Sequence, residues 1–115
     1  MVVLTATAVS CNKAPVASFA KDVHPILQRG CQPCHQPGGE GLVKSGFSIE
    51  SYESIMRGTR FGPVIEPGSS VSSTLVRLLE QKADPSISMP RDEHALSPDK
   101  IALIRNWIDQ GAKNN

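Results

Sequence analysis

The chain has few aromatic residues, no run of basic residues, no apolar stretch long enough to cross a bilayer, and no even set of cysteines. Phe19, Phe47, Phe61, Tyr52 and Trp107 are its whole aromatic complement, although aromatics usually supply much of a core's buried area. A chain of 115 residues is one domain. It buries only a modest share of its surface, so a bulky apolar component bound at its centre would help it fold. Twelve basic and eleven acidic residues are spread along the sequence for a net charge of +1, which excludes a nucleic-acid-binding patch. No segment alternates at period two and no hairpin signal occurs, so strands are not expected. With three cysteines, a closed disulfide framework would leave one thiol over.

Val2 to Val9 reads VVLTATAV, far short of the roughly 20 residues of a spanning helix but of the length of a signal-peptide apolar region. Ala8-Val9-Ser10-Cys11 follows, small residues before a cysteine, and it resembles the processing site of bacterial lipoproteins. That resemblance implies cleavage before Cys11 and a diacylglycerol on its sulfur, a stable anchor when two or more acyl chains are present. No basic residue precedes the apolar run, as a secretory signal would require, so the alternative is an apolar N-terminus with an incidental cysteine. The expected organisation is a truncated signal region over 1–10, a lipid-anchor cysteine and tether over 11–18, and a folded domain over 19–115.

Within that domain, Phe19, Val23, Ile26 and Leu27 recur at helical spacing. Ser18 or Asp22 can cap this helix, Pro25 fits its first turn, and Gly30 is expected to stop it. Residues 36–46 hold four glycines and read as a loop. Ser48 to Arg57 reads as a helix with Ile49, Tyr52, Ile55 and Met56 on one face. Val71 to Gln81 reads as another, with Val71, Leu75, Leu78 and Leu79 aligned. The last is capped by Ser97, has Pro98 at its first position, presents Ile101, Ile104, Trp107 and Ile108, and closes at Gly111. The expected fold class is all-α, with four short helices separated by long loops. Loops of that length need a task or something to wrap.

Cys31-Gln32-Pro33-Cys34-His35 is the most specific signal. Two thiols at this spacing reach the two vinyl groups on one porphyrin edge, and the following imidazole falls under the iron, so the motif reads as covalent haem c attachment with His35 as proximal ligand. A thioredoxin-like redox pair would need a βαβ context. A structural zinc site needs four ligands, with only His24 and His94 left to add. A plain disulfide would leave His35 without a role.

For the sixth iron position Met89 is the candidate. It precedes Pro90, which restricts it to extended backbone, and it lies 54 residues beyond His35, enough chain to reach the other haem face. Met56 sits on an apolar helix face and reads as core filler. His24 and His94 compete, and bis-His ligation would lower the potential.

Asp22-Val23-His24-Pro25-Ile26-Leu27, the Cys31 to His35 motif, the Gly-rich loop, Gly62-Pro63, Pro67-Gly68, Met89-Pro90, Leu96-Ser97 and Trp107-Ile108-Asp109-Gln110-Gly111-Ala112 occur in that order. The set resembles bacterial single-haem cytochrome c domains of the planctomycete type, and Met89-Pro90-Arg91 departs from it where a second proline is common. The resemblance implies a cytochrome c fold, first and last helices crossing, helices packed around one haem, and maturation outside the cytoplasm. His/Met ligation closes the iron to substrates, so the expected function is Fe(II)/Fe(III) electron transfer rather than enzymatic catalysis, by the chain alone or as the haem subunit of a membrane-associated oxidoreductase. The alternatives are a haem sensor with a displaceable sixth ligand and a peroxidase-like enzyme using His94. Expected partners are redox proteins, a membrane respiratory or photosynthetic complex among them, with the chain on the periplasmic side of a bacterial membrane.

Overall fold

The computed structural model describes Val3 and residues 15–31, 34–82 and 96–115. Among the described residues there are no strands, only isolated bridges at Thr59–Gly62 and Glu66–Ser69. The fold is all-α. A π-helical turn at Phe19–Val23 leads into α1 (His24–Cys31), followed by α2 (Glu40–Ser45), α3 (Tyr52–Arg57), α4 (Thr74–Leu79) and α5 (Pro98–Asp109).

Of the two alternative caps, Ser18 is the one used, and Asp22 lies inside the first turn and reaches back to it. The Lys21 N–H donates to Ser18 Oγ at 3.1 Å, and Asp22 Oδ2 accepts from the Ser18 N–H at 2.8 Å, a reciprocal cap. The chain then widens, with the Val23 N–H bonding Ser18 O and the His24 N–H bonding Phe19 O. Pro25 explains the widening, because its ring would clash with the carbonyl of residue 21 and it has no N–H to offer there. Gly30 does not end the helix as expected but lies inside α1. A Cβ on Gly30 would stand 3.2 Å from Leu96 Cδ2, so this glycine admits a neighbouring side chain.

The two ends of the domain are tied together. Phe19 packs on Trp107 at 5.5 Å and on Tyr52 at 5.3 Å between ring centroids. The Tyr52 hydroxyl donates to Ala112 O at 2.7 Å and Trp107 Nε1 to Lys113 O at 2.9 Å. Asn115 Oδ1 accepts from the Phe19 N–H, and the Gln110 side chain bridges Ala17 N and Pro15 O. Val23, Leu27, Ile49, Ile55, Leu79, Ile104, Trp107 and Ile108 form the most deeply buried part of the core.

Three elements differ from the sequence reading. The Gly-rich segment contains α2, set between Gly39 and a left-handed Gly46 and braced by a 2.5 Å Lys44–Glu40 pair at i,i+4; six residues give too little periodicity to register. α3 begins at Tyr52 behind a Ser51–Ser54 capping box, which leaves Ile49 buried but ahead of the helix. α4 begins at Thr74, and Val71 is exposed. Ser70 instead bonds Asp109 through its N–H and hydroxyl, and Ser73 Oγ donates to Ser69 O, local bonds that compete with helix formation. Ser97 does occupy the position before α5, but its carbonyl and not its hydroxyl makes the bonds, accepting from Lys100 and Ile101.

Glu80 joins α4 to α5 through Arg105 and also pairs with Lys82 at 2.7 Å. The hydrogen bond from Lys82 holds its carboxyl below the usual range, against the opposing effect of burial.

The Tyr52 hydroxyl carries the link between α3 and the C-terminal segment. Tyr52→Phe leaves the Ala112 carbonyl without this donor and is expected to cost about 1–3 kcal/mol in denaturant unfolding. An unchanged midpoint would show that the link is not stabilising.

Candidate haem-attachment site

Cys31 is the last residue of α1 and packs against the core, whereas Cys34 is exposed. Both are free thiols. The chain turns immediately, with the N–H groups of Cys34 and His35 both directed at Cys31 O, at 3.3 and 2.9 Å. The turn therefore carries one thiol at the edge of the core, one in solvent, and His35 directly behind them. Burial, with Cys34 nearby as a smaller cause, pushes the Cys31 thiol up to about 11. It is a protonated thiol at neutral pH and a poor partner for spontaneous disulfide formation.

His35 is buried, with 8% of its surface exposed. Its Nδ1 lies 2.8 Å from the carbonyl oxygen of Phe47, and the Phe47 ring meets the imidazole edge-on at 5.4 Å. A carbonyl only accepts, so Nδ1 carries the proton and Nε2 keeps its lone pair. This is the arrangement in which a histidine ligates a metal through Nε2 while its other nitrogen fixes the ring. Gly41 of α2 lies against that ligating edge. A Cβ there would stand 2.9 Å from His35 Nε2, from Cε1 and from Cys34 O. The Leu42 N–H bonds Cys34 O at 2.8 Å, so α2 is fastened to the motif it covers.

These features fit a covalent haem c. Two free thiols stand at attachment spacing, a fixed imidazole leaves Nε2 without a hydrogen bond among the described residues, and the residue lying against that nitrogen is a glycine without a side chain. Among the described residues no three His, Cys, Asp or Glu side chains gather into another metal-holding group.

His24 is engaged in the scaffold. Its Nε2 donates to Ile49 O at 2.9 Å and its ring stacks on Phe19 at 4.9 Å. Met56 is half-buried and packs against the core from α3. Met89, His94 and Cys11 lie outside the described residues. Sequence reasoning missed Phe47 and Gly41. Phe47 acts through a backbone carbonyl, which has no side-chain signature. Gly41 had a signal, since an isolated glycine marks a possible close approach, but the surrounding glycines hid it.

Comparison with known proteins agrees with this geometry. A family described as planctomycete cytochrome C matches residues 31–93, a stretch that starts at Cys31 and includes His35 and Met89. The hydrazine synthase subunit alpha of Kuenenia stuttgartiensis is 25% identical over 130 aligned residues, covering 89% of this chain and 16% of that protein. The chain thus spans about a sixth of the length of this curated relative. No solved structure matches.

Gly41→Ala tests the fit at the ligating edge. The added methyl forces the imidazole or α2 to move, so the haem-loaded variant is expected to lose about 1–3 kcal/mol of stability and to show displaced paramagnetic NMR signals from the His35 ring. Unchanged ring signals at unchanged stability would show that Gly41 does not constrain the ligand.

Proposed function

The chain belongs to the planctomycete cytochrome c family, whose members imply haem c and electron transfer, and on that premise we propose that it is a single-haem electron carrier with Cys31 and Cys34 as attachment residues, His35 as proximal ligand and Met89 as distal ligand. The observation that carries this reading is the 2.8 Å contact between His35 Nδ1 and the Phe47 carbonyl, directly after two free thiols. When bound, haem c supplies an Fe(II)/Fe(III) couple.

The residues of the chain do the rest. Cys31 and Cys34 would hold the haem through thioethers, each thiol contributing its sulfur to one carbon of a vinyl group and its hydrogen to the other. The Phe47 carbonyl holds the His35 ring in one tautomer and one orientation, so the ligand needs no rearrangement between oxidation states. Met89 offers a soft thioether, which favours the reduced state and raises the potential. With His35 and Met89 both serving as ligands, the iron would have no position left for a small molecule.

Hydrazine synthase subunit alpha is, by its name, one part of an enzyme, and the similar segment is a small fraction of it. This favours the version of the proposal in which the chain serves as a haem module of a larger oxidoreductase. Acylation of Cys11 would place it on the periplasmic side of a bacterial membrane; an N-terminal peptide beginning at acylated Cys11 in mass spectrometry supports that placement, and a free Cys11 thiol in a native chain starting at Met1 contradicts it.

The ligand assignment separates two methionines. The oxidised protein is expected to show the weak near-infrared sulfur-to-iron band of a Met/His haem. Met89→Ala should abolish the band, lower the potential and open the ferrous iron to carbon monoxide. Met56→Ala should keep the band and cost about 2 kcal/mol, the low end for a buried methionine because its side chain is only half-buried. Loss of the band in Met56→Ala alone would reverse the assignment, and rapid carbon monoxide binding by the unmodified protein would favour a sensor.

A further inference from the structure

The Phe47 carbonyl that fixes the His35 ring belongs to the peptide between Phe47 and Ser48. The peptide groups on either side of it are each held by a serine hydroxyl. On one side the Phe47 N–H donates to Ser45 Oγ at 3.1 Å. On the other, Ser54 Oγ donates to the Ser48 carbonyl at 2.9 Å. Phe47, Ser48 and Ser54 are all buried, where a backbone group left without a partner is costly.

These bonds are not a continuation of the helical ladder. Gly46, left-handed at φ 75°, ends α2 and carries the Phe47 N–H out of it. The Val43 carbonyl, which would be its helical acceptor, receives the Arg60 guanidinium instead. The Ser45 hydroxyl takes that N–H and passes its own hydrogen to Gly41 O at 2.6 Å. A serine bond to the carbonyl four residues back is common in helices; the bond to Phe47, beyond the helix end, is the one that bears on His35. The Arg60 N–H holds the Ser45 carbonyl at 3.0 Å, so Ser45 is fixed from outside as well. Ser54 is fixed by the capping box that opens α3, where its hydroxyl accepts from the Ser51 N–H at 3.1 Å. Two short helices thus grip the same segment from its two ends, each through one hydroxyl.

We propose that Ser45 and Ser54 are positioning residues for the proximal ligand, fixing the Phe47–Ser48 peptide from both sides and so setting the reduction potential through its hydrogen bond to His35. This rests on the electron-carrier reading. Neither hydroxyl bonds the imidazole; both act through the Phe47 carbonyl, which reaches the ring at Nδ1, the nitrogen that does not ligate. A firm bond at Nδ1 makes the ligating nitrogen more basic, and a more basic ligand stabilises the more highly charged Fe(III) state. Loss of either hydroxyl lets the peptide tilt, lengthens the bond to Nδ1 and favours Fe(II).

The test is a spectroelectrochemical titration of the haem-loaded full chain, paired with NMR of its reduced form. Ser45→Ala is expected to shift the Fe(II)/Fe(III) ratio at a fixed potential about threefold towards Fe(II), less than the roughly tenfold effect of losing a ligand's own hydrogen-bond partner. The same variant should move the His35 Nδ1–H resonance upfield and speed its exchange with solvent about tenfold, the equivalent of one weakened hydrogen bond. Ser54→Ala should move both readouts in the same direction, and Ser45→Thr, which keeps the hydroxyl, should restore them. Tyr52→Phe, which weakens the scaffold away from this peptide, should leave both unchanged. An unchanged potential and His35 signal in Ser45→Ala overturns the proposal. An equal shift in Tyr52→Phe also overturns it, by making the effect one of stability alone. Where Ser45→Ala does not fold, the same two readouts in Ser54→Ala decide. A Phe47 amide that exchanges as fast as an exposed one in the unmodified protein overturns the proposal without any variant. The absence of a haem couple in the unmodified chain would instead overturn the electron-carrier reading, and the positioning role with it.

Discussion

The 2.8 Å hydrogen bond between His35 and the Phe47 carbonyl joins residues twelve positions apart, and the arrangement of the site follows from that closure. On one side the loop is anchored by the Cys31 carbonyl, which gathers the N–H groups of Cys34 and His35. On the other it runs directly into Ile49, whose N–H returns to the His35 carbonyl at 3.4 Å and whose side chain is fully buried. Between the two, α2 arches over the motif and is held down through Leu42. A buried imidazole with no partner would cost the desolvation of its N–H, about 1–3 kcal/mol; here the same bond that removes this cost also decides which nitrogen is left to bind a metal.

The aromatic residues divide by task. Phe19, Tyr52 and Trp107 form one cluster, with the His24 ring stacked on Phe19, and this cluster joins the start of the domain to its end. Phe47 serves the His35 ring. Phe61 packs in neither group and is exposed. A chain so poor in aromatics thus places three of its five in one packed cluster, one against the buried His35 ring, and one in water. The hydrogen bonds of Asn115 and Gln110 reinforce that scaffold, so the site rests on a frame closed by the two ends of the domain.

Much of this was legible in the sequence, for physical reasons that differ by residue. The motif at Cys31 to His35 is legible by its spacing, and the family match begins at its first cysteine. The last helix was legible because Pro98 and Gly111 punctuate it and Ile104, Trp107 and Ile108 repeat at helical period; all three are buried. The class, all-α, followed from the absence of alternation. Val71 misled because its spacing suits the helix, but the serines around it find bonding partners in Asp109 and in the preceding turn. The α2 helix was hidden by its glycines, one of which is there for contact with His35 rather than for a turn. The Phe47 carbonyl was not legible at all, since any residue could supply it.

The central claim is that this fold carries haem covalently through Cys31 and Cys34. It is tested most directly by the intact mass of the protein under denaturing conditions, after acid–organic extraction. The account predicts a polypeptide that still carries one haem, and a double Cys31→Ser, Cys34→Ser variant that carries none. Clean release of the haem from the unmodified chain, or a polypeptide mass without it, would contradict the account.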